Sequence, residues 1–116
     1  MLAAVITLME VEESVQCAER CIRSGKKYDV DIEKYSAVTK EESQALREAK
    51  GIPLEGFREK WSRIDNVVGC FMSHFMLWEQ CAALNEEMII FEHDAVVTDH
   101  IPTVPYSGVL SLARPS

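Results

Sequence analysis

Hydrophobic residues change their periodicity several times along the chain, and each change marks a predicted element. The first run, Leu2 to Leu8, is continuously apolar and rich in β-branched residues, which is typical of a strand covered on both faces. Apolar residues then recur at helical spacing from Val11 to Ile22, and Ser24-Gly25 is expected to end that helix. Tyr28 to Val38 alternates loosely, as a more exposed strand does. The opening therefore predicts a β–α–β unit.

A polar helix and a loop are predicted next. Thr39 and Glu42 have the spacing of a capping box, in which each side chain bonds to the backbone amide of the other residue. Glycines and a proline then interrupt the regular pattern, so residues 51–66 are predicted to form a surface loop. This loop contains the bulky Phe57 and Trp61, and we expect it to be mobile or to border a site.

The last two predicted elements are strongly apolar. Asp65 or Asn66 can cap a helix whose apolar stripe is expected to be buried and to anchor the core. The stripe comprises Val67, Phe71, Phe75, Trp78 and Ala82. A buried strand, Met88 to Phe91, follows the helix. Strands that alternate with helices predict a single α/β domain over residues 1–116, a sandwich with a mainly parallel sheet.

Composition and charge narrow the classes of partner. The 116 residues are 47% hydrophobic and 27% charged, a globular composition that suffices for one modest core. The formal charge of −7 argues against nucleic acid and anionic membrane surfaces as primary partners, because both would repel the protein. The sequence contains no recognisable signal peptide and no run long enough for a membrane span, so a cytoplasmic protein is expected.

The four cysteines favour reduced, buried thiols over disulfides. Cys17 and Cys21 are spaced as neighbours along one helix. A zinc cluster of Cys70, His74 and Cys81 has the wrong spacing for compact finger ligands. A redox or metal-thiolate function is therefore kept only as a minor alternative.

The segment MIIFEHDAVV, residues 88–97, places two acids and a histidine at the end of a buried strand. In an extended backbone, Glu92 and Asp94 project to one side and His93 to the other. Open α/β sheets bind ligands at the carboxyl ends of their strands, so this position fits a site. Two ionised carboxylates about 4 Å apart repel by about 4 kcal/mol at an effective dielectric of about 20, which makes a divalent cation their natural counter-charge.

Two interpretations of these side chains stay open. Mg²⁺ or Mn²⁺ suits hard oxygen ligands and completes its shell with water and substrate phosphates, but an exposed strand end whose acids are merely solvated has the same pattern. His93 suits general-base chemistry near neutral pH, or it is a hydrogen-bonded structural residue that faces away from the acids. His74 likewise is a site residue or a satisfied core group.

Three stretches together resemble the central block of the family 25 glycosyltransferases, the lipooligosaccharide and collagen-galactosyl type. They are the helix Val68–Trp78 with its Gly-Cys and Ser-His pairs, the turn Asn85-Glu86, and the apolar strand with its acids, Ile89–Val96. The opening strand resembles the first strand of the family more loosely. The resemblance implies a glycosyltransferase of the A-type fold, a Rossmann-like α/β sandwich that binds a nucleotide-diphosphate sugar.

The resemblance also implies roles for individual residues. Glu92 and Asp94 match the first and last acids of the family's E-D-D motif, and His93 replaces the middle one. Asp94, with Glu92, would bind Mn²⁺ or Mg²⁺, which neutralises the departing diphosphate. Ser73 and His74 match the family's Ser-His pair and would shape the donor pocket. The hexose would be transferred to a hydroxyl of a glycan or another acceptor.

Two hypotheses of different classes follow. The first is a metal-dependent glycosyltransferase, or its donor-binding N-terminal part, because the chain stops at Ser116, soon after the acidic motif, and the fold is expected to be truncated. The second is a non-catalytic domain that keeps this fold and binds a partner or a second copy of itself through an open sheet edge.

Overall fold

The computed structural model describes residues 1–59 and 62–113, and six regular elements lie within these ranges. In chain order they are β1 (Leu2–Thr7), α1 (Glu12–Lys26), β2 (Glu33–Ser36), α2 (Lys40–Ala49), α3 (Ile64–Leu84) and β3 (Met88–Glu92). The predicted alternation of strands and helices is thus confirmed. The predicted Trp61, and the end of the chain at Ser116, lie outside the described residues.

The three strands form a parallel sheet in the order β2-β1-β3, as the α/β prediction requires. β1 lies in the centre, where Ala4 pairs with Glu33 of β2 and with Ile90 of β3. β2 is shorter than the predicted strand from Tyr28 to Val38, because Asp29 has a positive φ of 60° in a turn that precedes it.

The strand order places the helices on both faces of the sheet. The chain adds β2 on one side of β1 and then β3 on the other side. Since crossovers between parallel strands are right-handed, this reversal puts α1 on one face and the packed pair α2 and α3 on the other. The result is a small Rossmann-like sandwich.

The face covered by α1 holds a closed core. Alternate residues of β1 point into it, and Val5 has no exposed surface. The buried members of this core are Ala3, Val5, Ala18, Cys21, Ile32 and Val97. Ile89 and Phe91 of β3 pack against it from the same face of the sheet, so α1 and all three strand regions contribute to one apolar cluster.

Gly25 lies inside α1, so the prediction that Ser24-Gly25 ends this helix is wrong. The glycine is needed for a close approach: an added Cβ would lie 2.5 Å from Cδ1 of Ile32 and 2.9 Å from the carbonyl oxygen of Val30. The absence of a side chain therefore lets the last turn of α1 lie directly against the segment that leads into β2.

The predicted capping box opens α2, where Oε1 of Glu42 accepts a hydrogen bond from the amide of Thr39 at 2.9 Å. The loop that follows ends earlier than predicted, because residues 64–66 already belong to α3. The N-cap of α3 is Arg63 rather than Asp65 or Asn66, and the Arg63 side chain makes no capping hydrogen bond. The amide of Ile64 donates to Oε1 of Glu59 at 2.8 Å.

α3 buries a different face from the one predicted. Its buried residues are Val68, Gly69, Met72, Ser73 and Leu77. Most of the predicted stripe is only half-buried, and Trp78 and Ala82 are exposed. The prediction was wrong because α3 is apolar on nearly all sides, so helical periodicity alone does not select the face that meets α2 and the sheet.

The segment after β3 returns along the sheet towards the edge at which the strands begin. The amide of Val97 donates to Oγ of Ser24 in α1, and the hydroxyl of Tyr106 donates to Oε2 of Glu87, just before β3.

All four cysteines are free; Cys21 is buried, whereas Cys70 is exposed. The prediction of buried thiols thus holds fully for Cys21 alone.

Candidate functional site

The carboxyl ends of the three parallel strands meet at one edge of the sheet. Between β1 and β3 the strand order reverses, and the crevice outside such a reversal is where open α/β sheets bind ligands. Leu8 follows β1 at this edge, and residues 93 and 94 follow β3. Glu92, His93 and Asp94 therefore lie beside this reversal point.

Glu92 is the last residue of β3, and its register partner is Ile6 of β1. It lies on the face of the sheet that is turned away from α1, because alternate residues of β1 and β3 fill the α1 core. Its side chain is exposed, as is that of Asp94. Among the described residues, neither carboxylate makes a hydrogen bond or an ion pair.

Asp94 lies in a turn rather than in an extended strand. The amide of Ala95 donates to the carbonyl oxygen of Glu92 at 3.0 Å and closes this turn. The alternation that was expected to aim Glu92 and Asp94 to the same side therefore ends at Glu92. The relative direction of the two carboxylates is set by the turn, and strand periodicity does not determine it.

His93 lies on the α1 side and faces away from Glu92, which fits the structural interpretation of this histidine. Its Nδ1 lies 2.8 Å from Oγ of Ser14, in the first turn of α1. The same oxygen accepts a hydrogen bond from the amide of Leu8 at 2.9 Å. In the neutral tautomer that carries its proton on Nε2, the Ser14 hydroxyl donates to Nδ1. This chain of two bonds connects the carboxyl ends of β1 and β3.

Ser14 is a residue that the sequence did not single out. It is one of several serines in the chain, and its position shortly after the first strand was the sole available signal. Its partner His93 is 79 positions away, so the bond depends on how the sheet brings β1 and β3 together.

Ser73 is buried and its hydroxyl is fully used within the protein. It donates to the carbonyl oxygen of Gly69 at 2.8 Å and accepts from the amide of Val38 at 2.9 Å. Gly69 lies one turn earlier, and a Cβ there would lie 3.1 Å from the carbonyl oxygen of Val38. The Gly and Ser of the motif therefore lock α3 against the segment between β2 and α2.

His74 is the neighbour of Ser73 and faces a different environment. Its Nδ1 lies 3.0 Å from the carbonyl oxygen of Cys70 and must donate to it, which leaves Nε2 as its second polar atom. The pKa of His74 is raised, first by a hydrogen bond with the Cys70 side chain and then by the backbone bond and the charge of Glu92, against the lowering effect of burial. The charge of Glu92 thus favours the protonated form of His74, although no hydrogen bond or ion pair joins the two among the described residues.

Aromatic rings surround His74 on α3. The ring centroids of His74 and Trp78 are 6.3 Å apart, and Phe71 packs edge-to-face on Trp78 at 5.8 Å. From the loop, Phe57 packs edge-to-face on Phe71 at 5.2 Å. Through Phe57 the loop therefore packs on the aromatic residues of α3.

The donor set around Glu92 suits a cation that needs few protein ligands. Within residues 1–59 and 62–113, no group of three or more acidic, histidine or cysteine side chains is close enough to hold a metal ion. Mg²⁺ and Mn²⁺ are commonly bound by one or two carboxylates while water and substrate phosphates fill the remaining positions. Glu92 and Asp94 have the ligand type that such an ion uses, whereas a structural zinc would need four ligands.

Two further features lie near α3. A shallow cavity of about 300 Å³, lined by residues of both charges, lies where α2 and α3 begin and contains none of the predicted site residues.

α3 itself has an 18-residue window with a mean hydropathy of 1.2, so it has the length and composition expected of a membrane span. Core helices of soluble proteins can have the same length and composition. The expectation that no run approaches a span is corrected to that extent.

The family to which these features belong is identified by sequence. Residues 17–105 match the model described as glycosyltransferase family 25 (LPS biosynthesis protein). The match begins within α1 and includes the whole of α3, β3 and the acids that follow. No match was found among curated proteins or among solved structures.

Proposed function

The chain belongs to glycosyltransferase family 25 and is thus a glycosyltransferase, and from that premise we propose that it uses a nucleotide-diphosphate sugar as donor. It transfers a hexose from this donor to a hydroxyl group of a glycan acceptor. The description of the family as one of LPS biosynthesis proteins supports a glycan acceptor. The observation that carries the proposal is the pair of free carboxylates, Glu92 and Asp94, beside the strand-order reversal.

In this proposal Glu92 and Asp94 hold Mn²⁺ or Mg²⁺. Their exposure and lack of internal partners among the described residues support this role, because paired carboxylates would first have to leave an existing ion pair. The cation would supply Lewis-acid stabilisation of the negative charge on the departing diphosphate. A carboxylate pair without a cation would instead repel that diphosphate.

His74 and Ser73 support the donor site in different ways. Protonated His74 adds a positive charge beside Glu92, where a donor diphosphate would bind, and its raised pKa favours the protonated form. Ser73 acts indirectly, because its hydroxyl is occupied by Gly69 and Val38. It positions α3, and with it His74, relative to the carboxyl edge of the sheet.

Isothermal titration with UDP and with GDP, each in the presence and absence of Mn²⁺, tests the proposal. Binding is expected with Mn²⁺, and a chelator should abolish it. Asp94→Asn removes one charged ligand and should weaken the metal-dependent binding by at least about tenfold, the equivalent of one charge-assisted contact. Glu92→Gln should act in the same direction.

Asp99→Asn is the matched control, because Asp99 is exposed in the same segment and its Oδ1 bonds to the amide of His100. It should leave nucleotide binding unchanged. Equal binding with and without Mn²⁺, or equal loss in Asp94→Asn and Asp99→Asn, would contradict the proposed metal site. The absence of metal-dependent binding together with a stable dimer in light scattering would favour the non-catalytic alternative.

A further inference from the structure

Three aromatic residues of α3 form a continuous row that the fold leaves partly open. Phe71, Phe75 and Trp78 follow one another at helical spacing, and we call them the aromatic stripe. Phe71 and Phe75 are half-buried, whereas Trp78 is 41% exposed. In a protein with a buried apolar face elsewhere on the same helix, an open row of large aromatic rings points to a binding surface.

The rings of the stripe hold one another in fixed orientations. Phe71 stacks on Phe75 with centroids 6.1 Å apart and meets Trp78 edge-to-face at 5.8 Å. Phe57 supports Phe71 from the loop side at 5.2 Å. Trp78 is therefore backed by neighbours while much of its indole surface stays open to solvent, so little conformational entropy remains to be lost when a flat ligand binds there.

Polar groups lie directly beside this open ring. His74, one turn earlier on α3, has its ring centroid 6.3 Å from that of Trp78. The exposed carboxylate of Glu92 is near enough to His74 to favour its protonated form. The open indole ring of Trp78 therefore lies beside an imidazole, and the charge of a proposed donor-site carboxylate acts on that imidazole.

The aromatic ring and the polar groups near it determine which class of ligand would bind at the stripe. A pyranose ring has an apolar face of C–H bonds, which the negative face of an aromatic ring attracts, and hydroxyl groups at its rim that bond to imidazole and carboxylate. An anionic ligand would meet the charge of Glu92 and the net charge of −7. An acyl chain would leave both polar groups without partners.

We propose that Trp78, supported by Phe71 and flanked by His74, is a stacking platform for a neutral pyranose ring of the acceptor glycan. The assignment as acceptor, rather than donor, rests on the proposed function, since the donor diphosphate is placed at Glu92 and Asp94. His74 adjoins Trp78 and responds to the charge of Glu92, so a sugar on Trp78 would lie on the same side of the protein as the proposed donor site.

Two-dimensional NMR of protein labelled with ¹⁵N at its tryptophan indoles tests the platform. The chain has two tryptophans, and the Trp78 signal is assigned by its loss in Trp78→Phe. The probes are methyl β-galactopyranoside, methyl β-glucopyranoside and lactose, with sorbitol as an open-chain polyol control. A chelator is present throughout, so a failure of the proposed metal site does not affect the result.

At least one pyranoside is expected to shift the Trp78 signal saturably, whereas sorbitol does not. Binding is then measured by saturation-transfer NMR on the sugar, and Trp78→Gln should weaken it by about two- to tenfold, the range of one aromatic stacking contact. Trp78→Phe should retain part of it. Leu84→Gln is the matched control, because Leu84 is 53% exposed near the end of the same helix and lies outside the stripe.

Three results would overturn the proposal. The first is the absence of a saturable shift with every pyranoside, or an equal shift with sorbitol. The second is an equal loss of binding in Leu84→Gln and Trp78→Gln. The third is a dimer in sedimentation experiments that Trp78→Gln converts to a monomer, because the stripe would then be an interface between two copies of the chain.

Discussion

The two faces of the sheet differ in how completely their helices are buried. On the α1 face, alternate residues of β1 meet Ala18 and Cys21 without exposed surface, and serine hydroxyls tie the ends of the helix to distant backbone amides. On the other face, α3 buries one side against its neighbours and leaves the aromatic stripe half-open. The closed face provides stability, whereas His74 and the aromatic stripe lie on the open one.

This difference shows why the site lies where it does. A ligand can reach His74, Trp78 and Glu92 without disrupting the α1 core, because these residues lie on the α3 side or at the edge. His93, although it sits between the two acids in the sequence, belongs to the closed face through its bond to Ser14. Residues that are adjacent in the motif therefore lie on different faces of the sheet.

The largest expected effect is the loss of stability on truncating a buried residue of α3, compared with that of an exposed neighbour. Leu77→Ala removes a side chain that is 1% exposed and should lower the free energy of unfolding by about 3 kcal/mol, from lost burial and a cavity. Trp78→Ala, next to it in sequence, should lower it by about 1 kcal/mol, because much of the ring is already in water. Urea unfolding measures both. Equal losses would mean that the stripe is part of the core.

A second pair of substitutions compares how closely each helix approaches its neighbours. Gly25→Ala puts a Cβ within 2.9 Å of the Val30 carbonyl oxygen and should destabilise the protein by about 1–3 kcal/mol despite the better helix propensity of alanine. Gly69→Ala meets the Val38 carbonyl at 3.1 Å and should cost less. Thermal unfolding ranks the two. The reverse order would place the tighter packing on the α3 side.

Ser14→Ala tests the connection between β1 and β3 on the closed face. It removes the acceptor of the Leu8 amide and the partner of His93, and should lower the free energy of unfolding by about 1–2 kcal/mol. Hydrogen exchange at the Leu8 amide should accelerate. His93→Asn, whose side-chain oxygen can replace Nδ1 as acceptor, is the conservative control and should preserve most of the protection. Unchanged exchange in Ser14→Ala would contradict the bond.

The smallest expected effect concerns the charge of His74 on the open face. Its pKa in the folded protein is raised above the ordinary value of 6.5, so its stabilising contribution is complete below pH 6.5 and is lost as the pH rises through the folded pKa. NMR titration should locate this pKa. Cys70→Ala should lower it most and Glu92→Gln less, following the order of their contributions. A pKa that neither substitution changes would contradict the assigned causes.

Several features of the fold could be predicted because they depend on local sequence. The capping box of α2 needs two residues three positions apart, and the buried strands need only short apolar runs. The acids after β3 were recognisable because a polar group after such a run marks a strand end. The family follows from the same linear order of motifs.

Other features could not be predicted because they depend on residues far apart in the chain. Gly25 has the sequence pattern of a helix end, and only the approach of Ile32 explains its place inside α1. Ser14 has no motif of its own and gains its role from His93. The direction of Asp94 depends on the turn closed between Glu92 and Ala95, which alternation along a strand does not describe.

The sequence by itself determined the alternation of elements, the parallel sheet, the family and the acids that follow the last strand. Only the tertiary structure decided which side of α3 is buried, because a helix that is apolar on nearly all sides has several faces of similar hydrophobicity. Gly69 and Ser73 make that choice by close approach and a hydrogen bond to Val38, 35 positions away from the serine. Periodicity is a property of one helix, whereas burial depends on what surrounds it.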